Sequence, residues 1–498
     1  MSFFSTRGGS CVTASQAILR GLAPDGGLYV PAMFPIFPLE RIPKLAQMPY
    51  ARRAQEILSL YLDDFSSSEI AGAVDAAYGS GRFDDPAVAP LRRLDEGTWA
   101  LELFHGPTLA FKDMALQLLP HLVSLSARKN GESREVSILV ATSGDTGKAA
   151  LEGFRDVPGT SCTVFYPLDG VSDVQRLQMV TTGGKNTHVI AVRGNFDDAQ
   201  TGVKELFASE DFVRAMDERG KVLSSANSIN FGRLVPQIVY YFSAYADLVA
   251  AHAVRNGDPV NFCVPTGNFG NILAAYYARE MGLPVGKLIC ASNRNKVLTD
   301  FFNSGIYSTH RIFFKTKSPS MDILVSSNLE RLLFEAADRD GALISTWMQL
   351  LKEKGSYSVG DQRQEWLSSL FWGGCADDVE TLEEIGRRQL QDHYLMDTHT
   401  AVASAVLRHY RRKTSDATPT VLVSTASPYK FSRDVLTAIS EPGTAESLDA
   451  FACSEMLEKL SGVPMPPQVR HLKDLPILHR AECDAAEMGA AVLREFGE

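Results

Sequence analysis

The stretch HGPTLAFKD, residues 105–113, places one lysine between an aromatic residue and an acid at the predicted start of a helix. The first turn of a helix lies at the positive end of its dipole, where Asp or Glu is favoured and lysine is not. The same repulsion lowers the pKa of an ammonium group, which favours the neutral amine that a Schiff-base nucleophile requires. By itself such a lysine is more often a solvated surface residue. The loops described below make Lys112 the candidate catalytic residue.

The composition is that of a globular chain. It has 498 residues, of which 45% are apolar and 22% charged, enough for two or three domains with sizeable cores. A net charge of -10 argues against a nucleic-acid partner and leaves small anions open. The seven cysteines are scattered singly, without CxxC pairs or histidines at metal-ligand spacing. We therefore expect no metal site and a reducing compartment.

The first 24 residues contain Arg7 and Arg20 and no acid before Asp25, a bias that superficially suggests a transit peptide. They lack the apolar core of a secretory signal, and no window of the chain reaches the roughly 20 apolar residues that a membrane span needs. The expected location is the cytoplasm, with no membrane partner.

The pattern along the chain predicts an α/β fold in three ranges. Residues 1–95 form a small helical N-terminal lobe. Residues 96–380 alternate short apolar runs with helical segments, which is typical of parallel sheets covered by helices, with an insertion near 300–370. Residues 381–498 return to the sheet with a strand at 421–424 and end in a helix.

The loop TGNFGN, residues 266–271, follows one predicted strand and opens a helix. Two glycines three positions apart permit left-handed conformations that turn successive N–H groups inward, and the helix adds its positive end. This pattern favours a phosphate cradle, although short GxxG turns are also common as ordinary βα connections.

The loop TSGDTG, residues 142–147, has a similar form with more hydroxyls, which suits a carboxylate held at a helix start. Its Gly147-Lys148 pair invites comparison with a nucleotide-binding P-loop. That comparison fails because the P-loop spacing needs glycine at Thr142 and a hydroxyl residue at Ala149.

A third loop, STASP at residues 424–428, ends the late strand with a cluster of hydroxyls. A hydroxyl can hydrogen-bond to the ring nitrogen of a cofactor without forcing that nitrogen to stay protonated. Alternatively, the loop is an ordinary serine-rich turn with local backbone bonds. A lysine amine, a phosphate cradle and a carboxylate loop together indicate an enzyme that handles an amino acid with pyridoxal phosphate.

With these motifs the sequence resembles the threonine synthase family, in the tryptophan-synthase-β-like group of pyridoxal-phosphate enzymes. The resemblance covers most of the chain and is strongest in GLAPDGGLYVP at 21–31 and HGPTLAFKD at 105–113; STRG at 5–8, SANSINFGR at 225–233 and STASPYKF at 424–431 extend it. It implies two parallel-sheet α/β domains with a small helical N-terminal lobe. The match at Ser5 also leaves little room for a transit peptide.

The resemblance implies a role for each motif. Lys112 would hold pyridoxal phosphate as a Schiff base, and Thr425 would face the pyridine nitrogen. The phosphate of the cofactor would bind Gly267, Asn268, Phe269, Gly270 and Asn271. The substrate would bind Thr142, Ser143, Gly144, Asp145, Thr146, Asn230 and Arg233, with Asn227 as a further candidate.

The implied reaction converts O-phospho-L-homoserine and water to L-threonine and phosphate, the last step of threonine biosynthesis. Arg233, Lys148 and Arg7 are the candidates for binding the substrate phosphate. Alternatives are a serine/threonine dehydratase or β-replacing synthase of the same group, a phosphate-binding NTPase, and a non-catalytic relative. A monomer and a homodimer are both open.

Two local features depart from the family pattern. Many threonine synthases have histidine near Ser427, and Pro120 falls inside the helix expected from Met114 to Arg128, where we expect a kink.

Overall fold

The N-terminal lobe combines helices with a small sheet. A computed structural model describes residues 1–79, 81–142, 144–169 and 171–497. The lobe comprises β1 (Phe3–Ser5), β2 (Gly8–Val12), α1 (Ala14–Arg20), β3 (Tyr29–Pro31), α2 (Ile42–Ala46), α3 (Tyr50–Leu58) and α4 (Ser67–Tyr78). The helices were predicted, but the antiparallel sheet β2-β1-β3 was missed. Its strands are short, and β2 is mostly exposed and glycine-rich, so pairing within the fold and not an alternating pattern defines it.

The middle of the chain alternates strands and helices as predicted. Its elements are β4 (Leu91–Asp95), β5 (Thr98–Glu102), α5 (Asp113–Leu116), α6 (Leu119–Lys129), β6 (Glu135–Ala141), α7 (Asp145–Phe154), β7 (Thr160–Pro167), α8 (Asp173–Val180), β8 (Thr187–Arg193), α9 (Phe196–Ala208), α10 (Glu210–Glu218), β9 (Lys221–Ser224), α11 (Phe231–Ala250), β10 (Val260–Pro265), α12 (Gly270–Glu280) and β11 (Val285–Ser292).

The remaining elements include the predicted insertion and the late strand. They are α13 (Val297–Ser304), β12 (Ile306–Ser308), α14 (Leu329–Ala336), α15 (Gly341–Lys354), β13 (Ser356–Ser358), α16 (Asp361–Leu370), β14 (Phe371–Cys375), α17 (Asp378–Asp392), α18 (Thr398–Thr414), β15 (Thr420–Ser424), α19 (Ser432–Ile439), α20 (Ala450–Ser461), α21 (Pro467–Arg470), β16 (Ala481–Asp484) and α22 (Met488–Glu495). A hairpin of β12 and β13 lies in the range 300–370, and the interpretation of this range as an insertion stays a prediction.

Two larger sheets form the body of the fold, which confirms the predicted α/β class. One has the order β16-β8-β7-β6-β9 and is parallel throughout. The other has the order β14-β11-β10-β15-β5-β4 and is parallel except for the edge strand β4. The late strand β15 lies in the middle of this second sheet, between β10 and β5. The division of the chain at residues 95 and 380 stays a prediction.

Helix α11 is deeply buried and largely apolar. It has 20 residues, is buried along nearly its whole length and contacts α2, α3, α5 and α12. A helix that is apolar on all sides is stable where other elements surround it. In the described ranges, no helix is long and apolar enough to cross a membrane.

The predicted helix from Met114 to Arg128 is two helices, so the expected kink at Pro120 is wrong. Helix α5 ends at Leu116, and α6 begins at Leu119, with Pro120 in its first turn. Proline is well tolerated there because the first N–H groups of a helix have no intrahelical acceptor.

The two sheets bring their loops together. Within a parallel sheet the carboxyl ends of the strands share one edge, where ligands bind. The loops that follow β10 and β15 therefore lie at one edge of the six-stranded sheet, and the loop after β6 leads into α7 from the five-stranded sheet. The segment after β5 carries Lys112 into the space between them.

The close approach of α7 to α5 yields a stability prediction. A Cβ added at Gly153 would lie 1.9 Å from the carbonyl oxygen of Leu116. We expect Gly153→Ala to lower the free energy of unfolding by about 1–3 kcal/mol, the usual cost of overpacking a core. Gly72, in α4, has no neighbour within 4 Å of an added Cβ, so Gly72→Ala is the matched control. It should stabilise by about 0.5–1 kcal/mol. Urea unfolding of both variants measures the difference, and equal effects would contradict the proposed contact.

Candidate active site

Lys112 lies at the N-terminal boundary of the four-residue helix α5, and its side chain is largely buried, with 12% exposed. Its Nζ is 3.3 Å from Ser320 Oγ and 3.4 Å from Asp145 Oδ2. Burial is the main cause that lowers the pKa of Lys112; the charges of Lys430 and Arg233 add to it, and Asp145 opposes it. The lowered pKa agrees with the sequence-based prediction, but the reason differs, because desolvation rather than a helix dipole dominates.

Asp145, the first residue of α7, lies between two lysines. Its second carboxylate oxygen is 3.0 Å from Nζ of Lys430, which also donates to the carbonyl of Thr108 at 2.9 Å. Burial opposes ionisation of Asp145, but the positive charges of Lys430 and Lys112 outweigh it and hold the pKa of this carboxyl well below its usual range. Asp145 is therefore an ionised acceptor at neutral pH.

The HGPTLAFKD and STASPYKF segments are bonded to each other. The Phe111 N–H donates to the Thr425 carbonyl at 2.8 Å, and the Ser427 N–H donates to the Leu109 carbonyl at 3.0 Å. These bonds hold Thr425 next to Phe111, the residue that precedes Lys112. Its hydroxyl makes no hydrogen bond to any described residue and is free for a ligand. The Ser427 hydroxyl accepts from the Tyr429 N–H at 3.3 Å, as a local cap.

The loop before α12 has the shape of a cradle, but not for the predicted reason. The left-handed residue is Phe269, with φ 68°, and neither Gly267 nor Gly270 has positive φ. Gly267 is required by close approach instead, since an added Cβ would lie 2.5 Å from the Ser320 carbonyl oxygen. At Gly270 the nearest atom to an added Cβ is the Asn328 side-chain nitrogen, at an ordinary 3.5 Å.

The donors of this loop fit a phosphate. Within the described ranges, the backbone N–H groups of residues 267–271 have no acceptor, and they lie at the N-terminus of the 11-residue helix α12. The side-chain nitrogen of Asn271 is buried without a partner, while its oxygen accepts from Tyr240 at 2.5 Å and Tyr241 at 2.7 Å. Free amides at a helix N-terminus form an anion site.

The loop after β6 is closed by its first residue. The Thr142 hydroxyl oxygen accepts from the N–H groups of Gly144 and Gly147, both at 3.0 Å. Gly144 has φ 140°, a conformation that favours glycine, and Thr146 is half-buried. Ser143 lies outside the described residues. The predicted contacts of this loop with a substrate carboxylate stay predictions.

Three basic residues were predicted as candidates for a substrate phosphate, and two of them are engaged elsewhere. Lys148 donates to Glu152 at 2.5 Å and to Thr182 at 2.8 Å. Arg7 forms a two-pronged pair with Glu330 at 3.0 and 2.8 Å. Arg233 is buried in the first turn of α11, donates to the Ala226 carbonyl at 2.7 Å, and keeps Nε without a partner among the described residues.

Asn230 caps helix α11. Its side-chain oxygen accepts from the Gly232 N–H at 2.8 Å, and its nitrogen donates to the Ile18 carbonyl at 2.9 Å. The structure thus shows a capping role for Asn230, and a substrate contact stays a prediction. Asn227 lies in the preceding turn, with its N–H bonded to the Ser225 hydroxyl.

Sequence reasoning missed three residues of the site: Lys430, Ser320 and His399. Lys430 was part of the STASPYKF motif without an assigned role, and Ser320 belongs to the polar stretch KTKSPSMD, which was interpreted only as an insertion. His399 is buried next to Ser320, whose N–H donates to its Nε2 at 3.1 Å. Among the described residues, no group of three or more His, Cys, Asp or Glu side chains could hold a metal.

The fold and the site define a pyridoxal-phosphate-dependent enzyme. Residues 86–347 match the family model described as pyridoxal-phosphate dependent enzyme. Residues 2–78 match the model of the threonine synthase N terminus, and residues 400–476 match that of the threonine synthase C-terminal region. The chain belongs to the threonine synthase family, whose members are pyridoxal-phosphate-dependent lyases.

Relatives and solved structures agree with this assignment. A threonine synthase of Pseudomonas aeruginosa is 43% identical over 433 residues, covering 86% of this chain and 89% of that one. The crystal structure of a pyridoxal-phosphate-bound threonine synthase from Brucella melitensis has a TM-score of 0.88 at 37% identity and covers both chains completely. Yeast threonine synthase also has a TM-score of 0.88, at 31% identity, over 99% of this chain and 98% of that one.

His105, the first residue of the catalytic segment, yields a pH prediction. Its ring nitrogens lie 2.5 Å from Asp84 and 2.9 Å from Glu102. Burial lowers the pKa of His105, but the bonds to these two carboxylates outweigh it and raise the pKa to about 9. A raised pKa means that the folded state holds its proton more tightly than the unfolded state. The resulting stabilisation is complete below pH 6.5 and is lost as the pH rises through about 9.

We expect the free energy of unfolding to fall by up to roughly 3 kcal/mol between these pH values because of His105. His105→Gln should remove this part of the slope, as measured by denaturant titrations across the pH range. His252, an exposed residue, provides the control His252→Gln. An unchanged slope in His105→Gln would contradict the assignment.

The close contact at Gly267 yields a prediction about cofactor binding. The Cβ of Gly267→Ala would displace the Ser320 carbonyl or the cradle itself, whereas that of Gly270→Ala meets only ordinary contacts. Overpacking of about 1–3 kcal/mol corresponds to a roughly 5- to 150-fold weaker affinity for pyridoxal phosphate. Titration of the cofactor-free variants, followed by absorbance, measures the dissociation constants. A smaller effect in Gly267→Ala than in Gly270→Ala would refute the role of close approach.

Proposed function

We propose that this enzyme converts O-phospho-L-homoserine and water to L-threonine and phosphate, as the last step of threonine biosynthesis. The observation that carries the proposal is the presence of two separate anion-binding groups around one buried lysine. The free amides of residues 267–271 suit the cofactor phosphate, and the unpaired Nε of the buried Arg233 suits a second anion. A dehydratase acting on free serine or threonine has no substrate phosphate that needs this second group.

Arg233 is poised to hold the substrate phosphate. It is buried, and burial lowers the pKa of its guanidinium to about 10, which still leaves it charged at neutral pH. A buried arginine without a carboxylate partner is costly, so an anionic ligand stabilises it on binding. Its charge is also one of the causes that lower the pKa of Lys112, which supports a position within electrostatic range of the amine.

The other site residues are assigned by their chemistry. Pyridoxal phosphate, when bound, supplies the electron sink that makes the α and β hydrogens of an amino acid acidic. Lys112 removes and returns protons at the α and β carbons through its Nζ, and burial lowers the pKa of this amine, which favours its neutral form. Thr425 offers its free hydroxyl to the pyridine nitrogen, and the loop 142–146 receives the substrate carboxylate.

Asp145 and Lys430 balance the charge around the amine. Because Asp145 stays ionised between the two lysines, its negative charge stabilises the ammonium form of Lys112 when Nζ takes up a proton. Lys430 in turn offsets the carboxylate, so that Asp145 does not hold Lys112 permanently in the ammonium form. The pair allows both protonation states of the catalytic amine.

We propose a cytoplasmic location and a monomer or homodimer. All seven cysteines are free in the structure, in keeping with a reducing compartment. The net charge of -10 gives no support to a nucleic-acid partner.

The reaction is tested by incubating the cofactor-loaded enzyme with O-phospho-L-homoserine and measuring phosphate and threonine together. Equal amounts of both are expected. Lys112→Ala should fold normally, lose the absorbance of the covalently held cofactor, and lose several orders of magnitude in turnover, since it removes the acid-base and nucleophilic group.

Other products would redirect the assignment. Phosphate together with a 2-oxo acid would make the enzyme an eliminating lyase, and turnover of free serine or threonine in preference to the phosphate ester would favour the dehydratase. Near-normal turnover by Lys112→Ala would refute the role of the lysine.

A further inference from the structure

A chain of three hydrogen bonds, of which the last is fully buried, connects Lys112 to helix α18. Ser320 lies in a single 3-10 turn, residues 319–321, within the KTKSPSMD stretch. Its hydroxyl is 3.3 Å from Lys112 Nζ, and its N–H donates to His399 Nε2 at 3.1 Å. His399 Nδ1 is 2.9 Å from Asp397 Oδ1. His399 is 3% exposed and Asp397 0%, so their bond is shielded from water, whereas Ser320 is partly exposed.

The geometry determines the form of the imidazole. Because Nε2 accepts a backbone N–H, it carries no proton, and the single ring proton lies on Nδ1, pointing to the carboxylate. Asp397 fixes this tautomer, as a buried carboxylate does when it orients a histidine. The His399 ring also packs on Phe431, with ring centroids 4.8 Å apart, which limits its rotation.

Asp397 is also connected to the STASPYKF segment. Its second oxygen accepts from the Thr400 hydroxyl, whose oxygen in turn accepts the backbone N–H of Thr425 at 3.3 Å. Ser320 itself contacts the phosphate cradle through its carbonyl, which limits the space at Gly267. The Asp397 carboxylate is thus linked through His399 to Ser320, and through the Thr400 hydroxyl to Thr425.

The Ser320 hydroxyl has a property that Asp145 lacks. An ionised carboxylate only accepts hydrogen bonds, whereas a hydroxyl donates or accepts. When Lys112 is neutral, the hydroxyl donates its hydrogen to the lone pair of Nζ. When Nζ takes a proton from a substrate carbon, the electron pair of the broken C–H bond remains with the substrate, where bound pyridoxal phosphate would stabilise it, and the hydroxyl rotates to accept from the new ammonium. No proton leaves Ser320.

We propose that Ser320 is a catalytic residue that keeps a hydrogen bond to Lys112 in both of its protonation states, and that His399 and Asp397 are positioning residues that hold it there. This inference rests on the proposed function in taking Lys112 as the base. It assigns to the KTKSPSMD stretch a part in proton transfer, in addition to its place in the insertion.

The test compares four variants of the cofactor-loaded enzyme. Ser320→Ala removes the hydroxyl, His399→Leu removes the acceptor for the Ser320 N–H, and His399→Gln keeps an acceptor near the position of Nε2. His310→Leu is the control, because its ring also bonds a backbone group, the carbonyl of Lys354 at 2.7 Å, and this bond lies outside the chain from Lys112 to Asp397. Three quantities are measured: kcat and KM for O-phospho-L-homoserine, the pH midpoint of the cofactor absorbance, and the thermal unfolding temperature.

We expect Ser320→Ala and His399→Leu to lower kcat by about 10- to 100-fold with KM little changed, the rate equivalent of one hydrogen bond to a charged group. Both should shift the pH midpoint in the same direction, because the cofactor absorbance reports the environment of Lys112 Nζ. His399→Gln should regain most of kcat, and His310→Leu should match the wild type in kcat and in the pH midpoint.

Two outcomes would overturn the inference. One is a wild-type kcat and pH midpoint in Ser320→Ala. The other is an equal loss in His399→Leu and His399→Gln with a lowered unfolding temperature, which would indicate a structural role alone. If His399→Leu does not fold, Ser320→Ala decides, since it removes a single oxygen atom. A wild-type enzyme that releases no phosphate would refute the proposed function instead, and the pH midpoint would still test the inference.

Discussion

The buried ion pair between Asp145 and Lys430 is the interaction on which the site depends. Asp145 begins the helix after a strand of the five-stranded sheet, and Lys430 follows the central strand of the six-stranded sheet. The pair therefore connects the two sheets next to Lys112, whose Nζ also contacts Asp145. Removing one partner of a buried pair typically costs about 3–5 kcal/mol, because an uncompensated charge remains. The same pair sets the charge around Lys112, so the assembly of the fold and the tuning of the amine depend on one contact.

At other positions of the site, too, a single residue serves two purposes. Thr142 closes its loop through two N–H groups and leads directly into Asp145. Gly267 completes the phosphate cradle and permits the approach of Ser320. Ser320 contacts both the cradle and the lysine. A displacement of any of these residues therefore disturbs cofactor binding and proton transfer together, and kinetic measurements need to be combined with measurements of cofactor affinity.

Much of the architecture was predictable because its signals are local. Short apolar runs followed by glycine-rich turns and helical patterns indicate parallel α/β units, and the strand predicted at 421–424 was found within one residue, as β15. The small sheet of the N-terminal lobe was missed, since its strands carry no alternating pattern. Pro120 was interpreted as a kink because a sequence pattern does not show where one helix ends and the next begins.

The sequence by itself determined the class of fold, the lysine, the glycine-rich cradle and the family, since these are motifs of consecutive residues whose chemistry is readable without neighbours. Only the tertiary structure decided which distant groups surround the lysine. Asp145, Ser320 and Lys430 are separated by more than a hundred residues from one to the next. It also decided that Arg233 keeps its Nε without a partner among the described residues while Lys148 and Arg7 pair with glutamates, and that burial lowers the pKa of Lys112. Burial and ion pairing depend on the packing of remote segments, which no local pattern specifies.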